Sequence, residues 1–260
     1  MPSVVESSVT DSIGIVTIAN EHKANALSSD VISGLLAALD EFCSQDVRVA
    51  IIRARPGAKI FSAGHDVSEL PTDGSDPFSW TIPLEKLLHK VREVPMPVIA
   101  MCEGSIWGGA CDLVVSCDLI VATPTATLAM TPAKMGLPYN SLGTSHFLGI
   151  LPLHRLKEML FTADPMSVEE AERLGIYNKV VPAEELEGAT MKIAERIASL
   201  APLVIQVLKN ELRELGSGAP LPPEVFEKIE SLREKTWRSD DMQEGIRAFF
   251  EKRPPEFKGH

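Results

Sequence analysis

The sequence predicts an α/β fold with mainly parallel strands and a helical C-terminal third. Three observations carry this. Short runs rich in Val and Ile alternate with segments of helical periodicity as far as Pro182. From Ala183 onward the strand pattern stops and only helical periodicity is found. The chain has 260 residues, 45% of them hydrophobic, which suits a compact protein with a substantial core.

The elements follow in order. IGIVTIA, from Ile13 to Ala19, reads as a strand. Ser28-Ser29-Asp30 starts a helix that runs through VISGLLAALDEFC with apolar residues at helical spacing. VAIIRA, from Val49 to Ala54, is a second strand. KIFSAGHDVSEL, from Lys59 to Leu70, reads as an apolar strand end that turns on a glycine and opens into a helix. A helix is expected from about Ile82 to Val94, ended by Pro95 and Pro97. PVIAMCEG is a third strand, and DLIVAT, from Asp118 to Thr123, a fourth. Between them Gly109 opens a short helix reaching about Ser116. After Pro182, EELEGATMKIAERIASL, LVIQVLKNELREL and a piece from about Pro223 to Glu251 are helical, with a loop at Gly216 to Pro223. The expected organisation is an α/β body over residues 1–182 and a helical region over 183–260. The apolar faces of that region would pack on a neighbouring subunit or form an extra layer within the chain, and the pattern alone leaves both open.

Composition narrows the function. The formal net charge is −11 and there is no basic run, which argues against nucleic acid as a partner. A few local lysines still suffice for an anionic ligand. Cys43, Cys102, Cys111 and Cys117 form no CxxC pair and no zinc-like spacing, so they read as reduced thiols of an intracellular protein, with no metal. MPSVVESSVTDS lacks the basic start and apolar run of a signal peptide. No window approaches ~20 uninterrupted apolar residues, so no membrane span is expected and the cytoplasm is the expected location.

The candidate chemistry sits on glycine turns. In Ser62-Ala63-Gly64-His65-Asp66 a strand ends and a helix is expected, so the first helical amides lack partners and favour negative charge. The His65 amide is then a natural oxyanion donor, and a plain helix cap or a surface histidine is the alternative. Glu103 to Leu113 repeats the arrangement: an apolar strand, then Trp107-Gly108-Gly109, then a helix carrying Asp112. Two amides aimed at one oxygen form an oxyanion hole, in which one donor is worth ~3–4 kcal/mol of barrier.

SAGHDVSEL, IWGGACDLVVSCDLIVA and MTPAKMGLP resemble the crotonase (enoyl-CoA hydratase/isomerase) superfamily, and HKANALS, His22 to Ser28, resembles its N-terminal CoA-contacting segment. The resemblance covers nearly the whole chain in motif order and spacing. It implies a spiral ββα core, a C-terminal helical region that oligomerises into a homotrimer or dimer of trimers and closes the site, and an acyl-CoA thioester substrate with no separate cofactor. It places the thioester oxygen between the amides of His65 and Gly109. It assigns CoA contacts to Lys23, Ala24, Ala26, Ala63, Gly64, Asp66 and Val67. Lys252 and Arg253 would meet the nucleotide phosphates or simply form a solvated basic end.

Hydratases of this family use two glutamates. Here the first position holds Asp112, one methylene shorter, and the second falls on Pro132. Adding water needs a proton donor and a placed base. His65, Trp107, Met130-Thr131-Pro132 through Gly136, Pro138-Tyr139-Asn140 and the tail EKRPPEFKGH resemble instead the members that decarboxylate malonyl thioesters, although those would carry Glu rather than Asp at position 112. The implied reaction is loss of CO2 from methylmalonyl-CoA or malonyl-CoA through an enolate, with Tyr139 gripping the carboxylate. Asp112 would cap its helix, orient Tyr139 or orient water. Trp107 reads as pocket wall, and Thr131 as part of the substrate site. The rival readings are a hydratase or isomerase using Asp112 as acid/base and a non-catalytic acyl-CoA-binding protein, the latter opposed by the intact Gly108-Gly109 and AGHD. His89, His146 and His154 read as core or surface.

Overall fold

The structure is a computed structural model of the chain that describes residues 3–70, 82–139, 141–216 and 222–260. Asn140 and most of the expected Gly216–Pro223 loop lie outside these residues. Strand β1 (Val5–Thr10) turns at Asp11 and Ser12, both at positive φ, into β2 (Ile13–Ile18). Helix α1 (Ser29–Ser44) begins where Ser28 accepts a hydrogen bond from the Val31 amide. Then come β3 (Val49–Ala54), β4 (Ile60–Ser62), α2 (Ile82–Glu93), β5 (Val98–Cys102), β6 (Ser105–Trp107), α3 (Gly109–Ser116), β7 (Leu119–Ala122) and β8 (Leu128–Ala129). Helices α4 (Ser141–Leu148), α5 (Leu153–Thr162) and α6 (Val168–Arg173) precede β9 (Lys179–Val180). Helices α7 (Ala183–Ala198), α8 (Pro202–Leu215), α9 (Pro223–Trp237) and α10 (Asp240–Glu251) complete the chain.

Six strands form one sheet in the order β1-β2-β3-β5-β7-β9, parallel except for the β1–β2 hairpin. Both faces are covered, which is why β3 is buried along its whole length. Ala50 and Ile52 join the main core with α1, α2 and α3, whereas Val49 and Ile51 join a second cluster with Leu186 and Ala194 of α7. Helix α7 is thus a layer of the sheet itself. Helix α8 is tied to the body by Lys209, whose buried Nζ donates to the Val91 and Met96 carbonyls at 2.9 Å and pairs with Asp118 at 2.8 Å. On α8 and beyond it, Leu212, Phe226, Trp237, Phe249 and Phe250 are exposed.

One expectation changes. The strand ending at Ser62 does not open into a helix: only a single 3-10 turn, Val67–Glu69, follows. The Asp66 carboxylate accepts from the amide and hydroxyl of Ser68 at 3.0 and 2.6 Å, which satisfies that turn locally, and the backbone is extended again at Leu70. The Pro223–Glu251 piece is helical as expected and divides into α9 and α10, because Ser239 caps α10 by accepting from the Met242 amide.

Candidate active site

A second, smaller sheet builds the site. Strands β4, β6 and β8 lie side by side, all parallel, with Ser62 paired to Ile106 and Trp107 to Ala129. Parallel neighbours end at the same edge. So Ala63-Gly64-His65, Gly108-Gly109 and Met130-Thr131, far apart in sequence, all leave the carboxyl ends of adjacent strands together, the edge where open parallel sheets place ligands. The Gly108 amide closes the arrangement by donating to the Ala129 carbonyl at 2.8 Å.

The turns touch through backbone. A methyl built on Gly64 would stand 2.5 Å from the Trp107 carbonyl oxygen and 2.8 Å from the Gly109 nitrogen, and φ at Gly64 is +83°. Only glycine fits there. Gly108, at φ +54° and ψ −126°, is likewise in a conformation that side chains avoid. Gly109 opens α3, so its amide has no carbonyl four residues back, and among the described residues none accepts its hydrogen. The His65 ring lies over it, with Cδ2 3.2 Å from where a Gly109 methyl would sit. Burial lowers the His65 imidazole to about 4, so it is neutral at ordinary pH.

A third segment docks on the first turn. Leu27 bridges to His65 in parallel, the Leu27 amide donates to the Gly64 carbonyl at 2.7 Å, and the Ala63 amide to the Ala24 carbonyl at 3.0 Å. Lys23 Nζ meets the Asp66 carboxylate at 2.8 Å, and this bond, with those of Ser68, holds Asp66 down to about 2. Ala24 and Asn25 are at positive φ, and buried Asn25 donates to the Ile60 carbonyl and accepts from the Asn20 amide. Asn20 and Asn25 escaped the sequence reading; an asparagine able to take positive φ beside Ala24 is the signal that was there. Ala26 is buried and Val67 exposed.

The third strand end supplies Thr131, at the start of a 3-10 turn over Pro132–Met135, and then Tyr139. Its phenol donates to the Gly108 carbonyl at 3.3 Å, and its ring packs edge-on against Phe147. Burial lifts that phenol well above its ordinary value, and Asp112 adds to the shift. Trp107 is 37% exposed, as a rim residue would be. Asp112 is fully buried, and its Oδ1 lies 2.7 Å from His146 Nδ1, whose Nε2 lies 2.6 Å from Arg92 Nη1. This partnership is a correction to the reading of His146 as core or surface. Only the packing of α2, α3 and α4 brings the three residues together. Lys252 ends α10 at positive φ, and Arg253 is committed to Glu244 and Glu251; no bond joins either to the glycine turns among the described residues. Burial pushes the Cys111 thiol up to about 12, which removes it as a nucleophile. Among the described residues no cluster suits a metal ion, and no helix is long and apolar enough to cross a membrane.

The sequence model of the enoyl-CoA hydratase/isomerase family matches residues 8–260. Methylmalonyl-CoA decarboxylase of Escherichia coli strain K12 is 42% identical over 248 residues, 95% of each chain. A crystal structure of methylmalonyl-CoA decarboxylase complexed with 2S-carboxypropyl-CoA superposes over all of both chains, with TM-score 0.80 and 41% identity. An enoyl-CoA hydratase structure from Geobacillus kaustophilus HTA426 superposes over 99% of this chain and 98% of its own, with TM-score 0.88 at 31% identity. The fold is the one these structures share. The better superposition falls on the less similar sequence, so overall shape does not select a reaction and the site must.

Proposed function

The chain belongs to the enoyl-CoA hydratase/isomerase family of the crotonase superfamily, and from that premise we propose that it decarboxylates methylmalonyl-CoA, or malonyl-CoA, to propionyl-CoA or acetyl-CoA, using no cofactor. The observation that carries this is the company the Gly109 amide keeps. A phenol stands one residue away on the Gly108 carbonyl, and the family resemblance puts the second carboxylate position of a hydratase on Pro132, which has no acid or base function.

The thioester oxygen accepts from the amides of His65 and Gly109. On binding, the Tyr139 hydroxyl turns its single hydrogen from the Gly108 carbonyl to the substrate carboxylate and holds that carboxylate perpendicular to the thioester plane. The bond between the α-carbon and the carboxyl carbon breaks, its electron pair passes into the carbonyl, and CO2 leaves behind an enolate whose oxygen the two amides stabilise. Solvent returns one proton to the α-carbon. The neutral His65 ring lines the pocket without adding charge. CoA lies along Lys23 to Ala26 and Ala63 to Val67, with Trp107 and Thr131 flanking the acyl group and Lys252 toward the nucleotide. Within residues 183–260, α7 covers the sheet and the helices from α8 onward form the oligomerising region of a homotrimer or dimer of trimers; the apolar side chains exposed on them support that reading.

One observation favours the hydratase reading: Asp112 Oδ2 has no hydrogen-bond partner among the described residues. Against it stand the missing second carboxylate and the bond between His146 and Asp112. Separate incubations decide. Methylmalonyl-CoA converted to CO2 and propionyl-CoA, with crotonyl-CoA left intact, supports decarboxylation; hydrated crotonyl-CoA and intact methylmalonyl-CoA reject it.

A further inference from the structure

A fully buried carboxylate beside a site that must hold a negative oxygen is of the wrong sign. Asp112 lies three residues after Gly109 on α3, hence within one turn and about 5 Å along the axis. At that range a charge developing at the Gly109 amide is strongly opposed by an uncompensated anion.

The compensation lies in the next two side chains. A guanidinium has only donors, so Arg92 Nη1 donates to His146 Nε2, 2.6 Å away. Nε2 therefore accepts, the ring hydrogen sits on Nδ1, and Nδ1 donates to Asp112 Oδ1 at 2.7 Å. The imidazole is neutral and passes the pull of a permanent cation to a buried anion, leaving no net charge on the group of three. Arg92 is itself anchored: it is in the last turn of α2, and its carbonyl accepts from Arg213 Nη1 at 3.1 Å.

We infer that Arg92, acting through His146, is the countercharge that lets the oxyanion hole tolerate Asp112. Both are positioning residues for the reaction proposed above, on which this inference rests. The test is a cycle of R92Q, D112N and their combination. The readout is the affinity for a nitronate analogue of propionyl-CoA, an enolate mimic, relative to neutral propionyl-CoA. That ratio is independent of turnover, so failure of the wild type to release CO2 would reject the decarboxylase reading alone. With Asp112 present, R92Q lowers the ratio roughly ten- to hundredfold. The combination restores the ratio to within about threefold of the wild-type value, because the anion and its countercharge are then both gone. R92K, which keeps the charge, retains most of the ratio, and circular dichroism verifies that each variant is folded. A combination that stays as low as R92Q alone, or no loss with Asp112 present, overturns the inference.

Discussion

Gly64 lies against Gly109 so closely that a methyl group on the first would stand 2.8 Å from the amide nitrogen of the second. The position of one proposed oxyanion donor is therefore set by the absence of a side chain on the turn that carries the other. Gly64→Ala must move one turn or the other and must also hold alanine at a φ of +83°. The account predicts at least a hundredfold loss of kcat, about what loss of one donor costs, together with a lowered melting temperature. Kinetics and thermal unfolding of the same preparation verify it; near-normal turnover would mean that the contact does not set the hole.

Tyr139→Phe removes one oxygen and leaves the ring on Phe147. Decarboxylation should fall roughly a hundredfold, in line with the loss of one orienting hydrogen bond, while thermal stability changes little. Unchanged turnover would remove Tyr139 from the mechanism.

His65 should titrate with a midpoint near 4, readable from its ring proton shifts. Burial disfavours the charged ring, so the folded value lies below the unfolded one of about 6.5. Its effect on stability is fully present above about pH 6.5, erodes as pH falls toward 4 and levels off below. Turnover should accordingly show no limb near pH 6.5 from this residue.

How much of this was legible before the structure depends on distance along the chain. Ser28 announced α1, and Gly109 announced α3, because caps and glycine turns act over a few residues. Strands β8 and β9, of two residues each, carry too few side chains for a period, and β1 is mostly exposed. The turn after His65 was read as a helix because nothing local says that Asp66 would spend its carboxylate on Ser68 and Lys23. The partnership of Asp112 with His146 and Arg92 joins three helices and has no local signature. The glycine motifs were visible singly; the parallel pairing of β4, β6 and β8 that brings them together was not.

The bond from Lys23 to Asp66 staples the Lys23–Leu27 segment to the first turn. Asp66 is held near 2 in the folded chain against an ordinary value near 4. Its stabilisation is thus complete above about pH 5 and lost as pH falls from about 4 toward 2. Urea unfolding of Asp66→Asn beside the wild type should show a gap that is constant at pH 7 and 5 and narrower at pH 3. The same variant should weaken CoA-thioester binding more than it lowers kcat, since it loosens the binding segment and leaves the amides in place.

The most direct measurement is a crystal structure with an unreactive thioester analogue of methylmalonyl-CoA. The account predicts the thioester oxygen within about 3.2 Å of both the His65 and Gly109 amide nitrogens, with the carboxylate on the Tyr139 hydroxyl. An oxygen turned to solvent, with neither amide in reach, would contradict it.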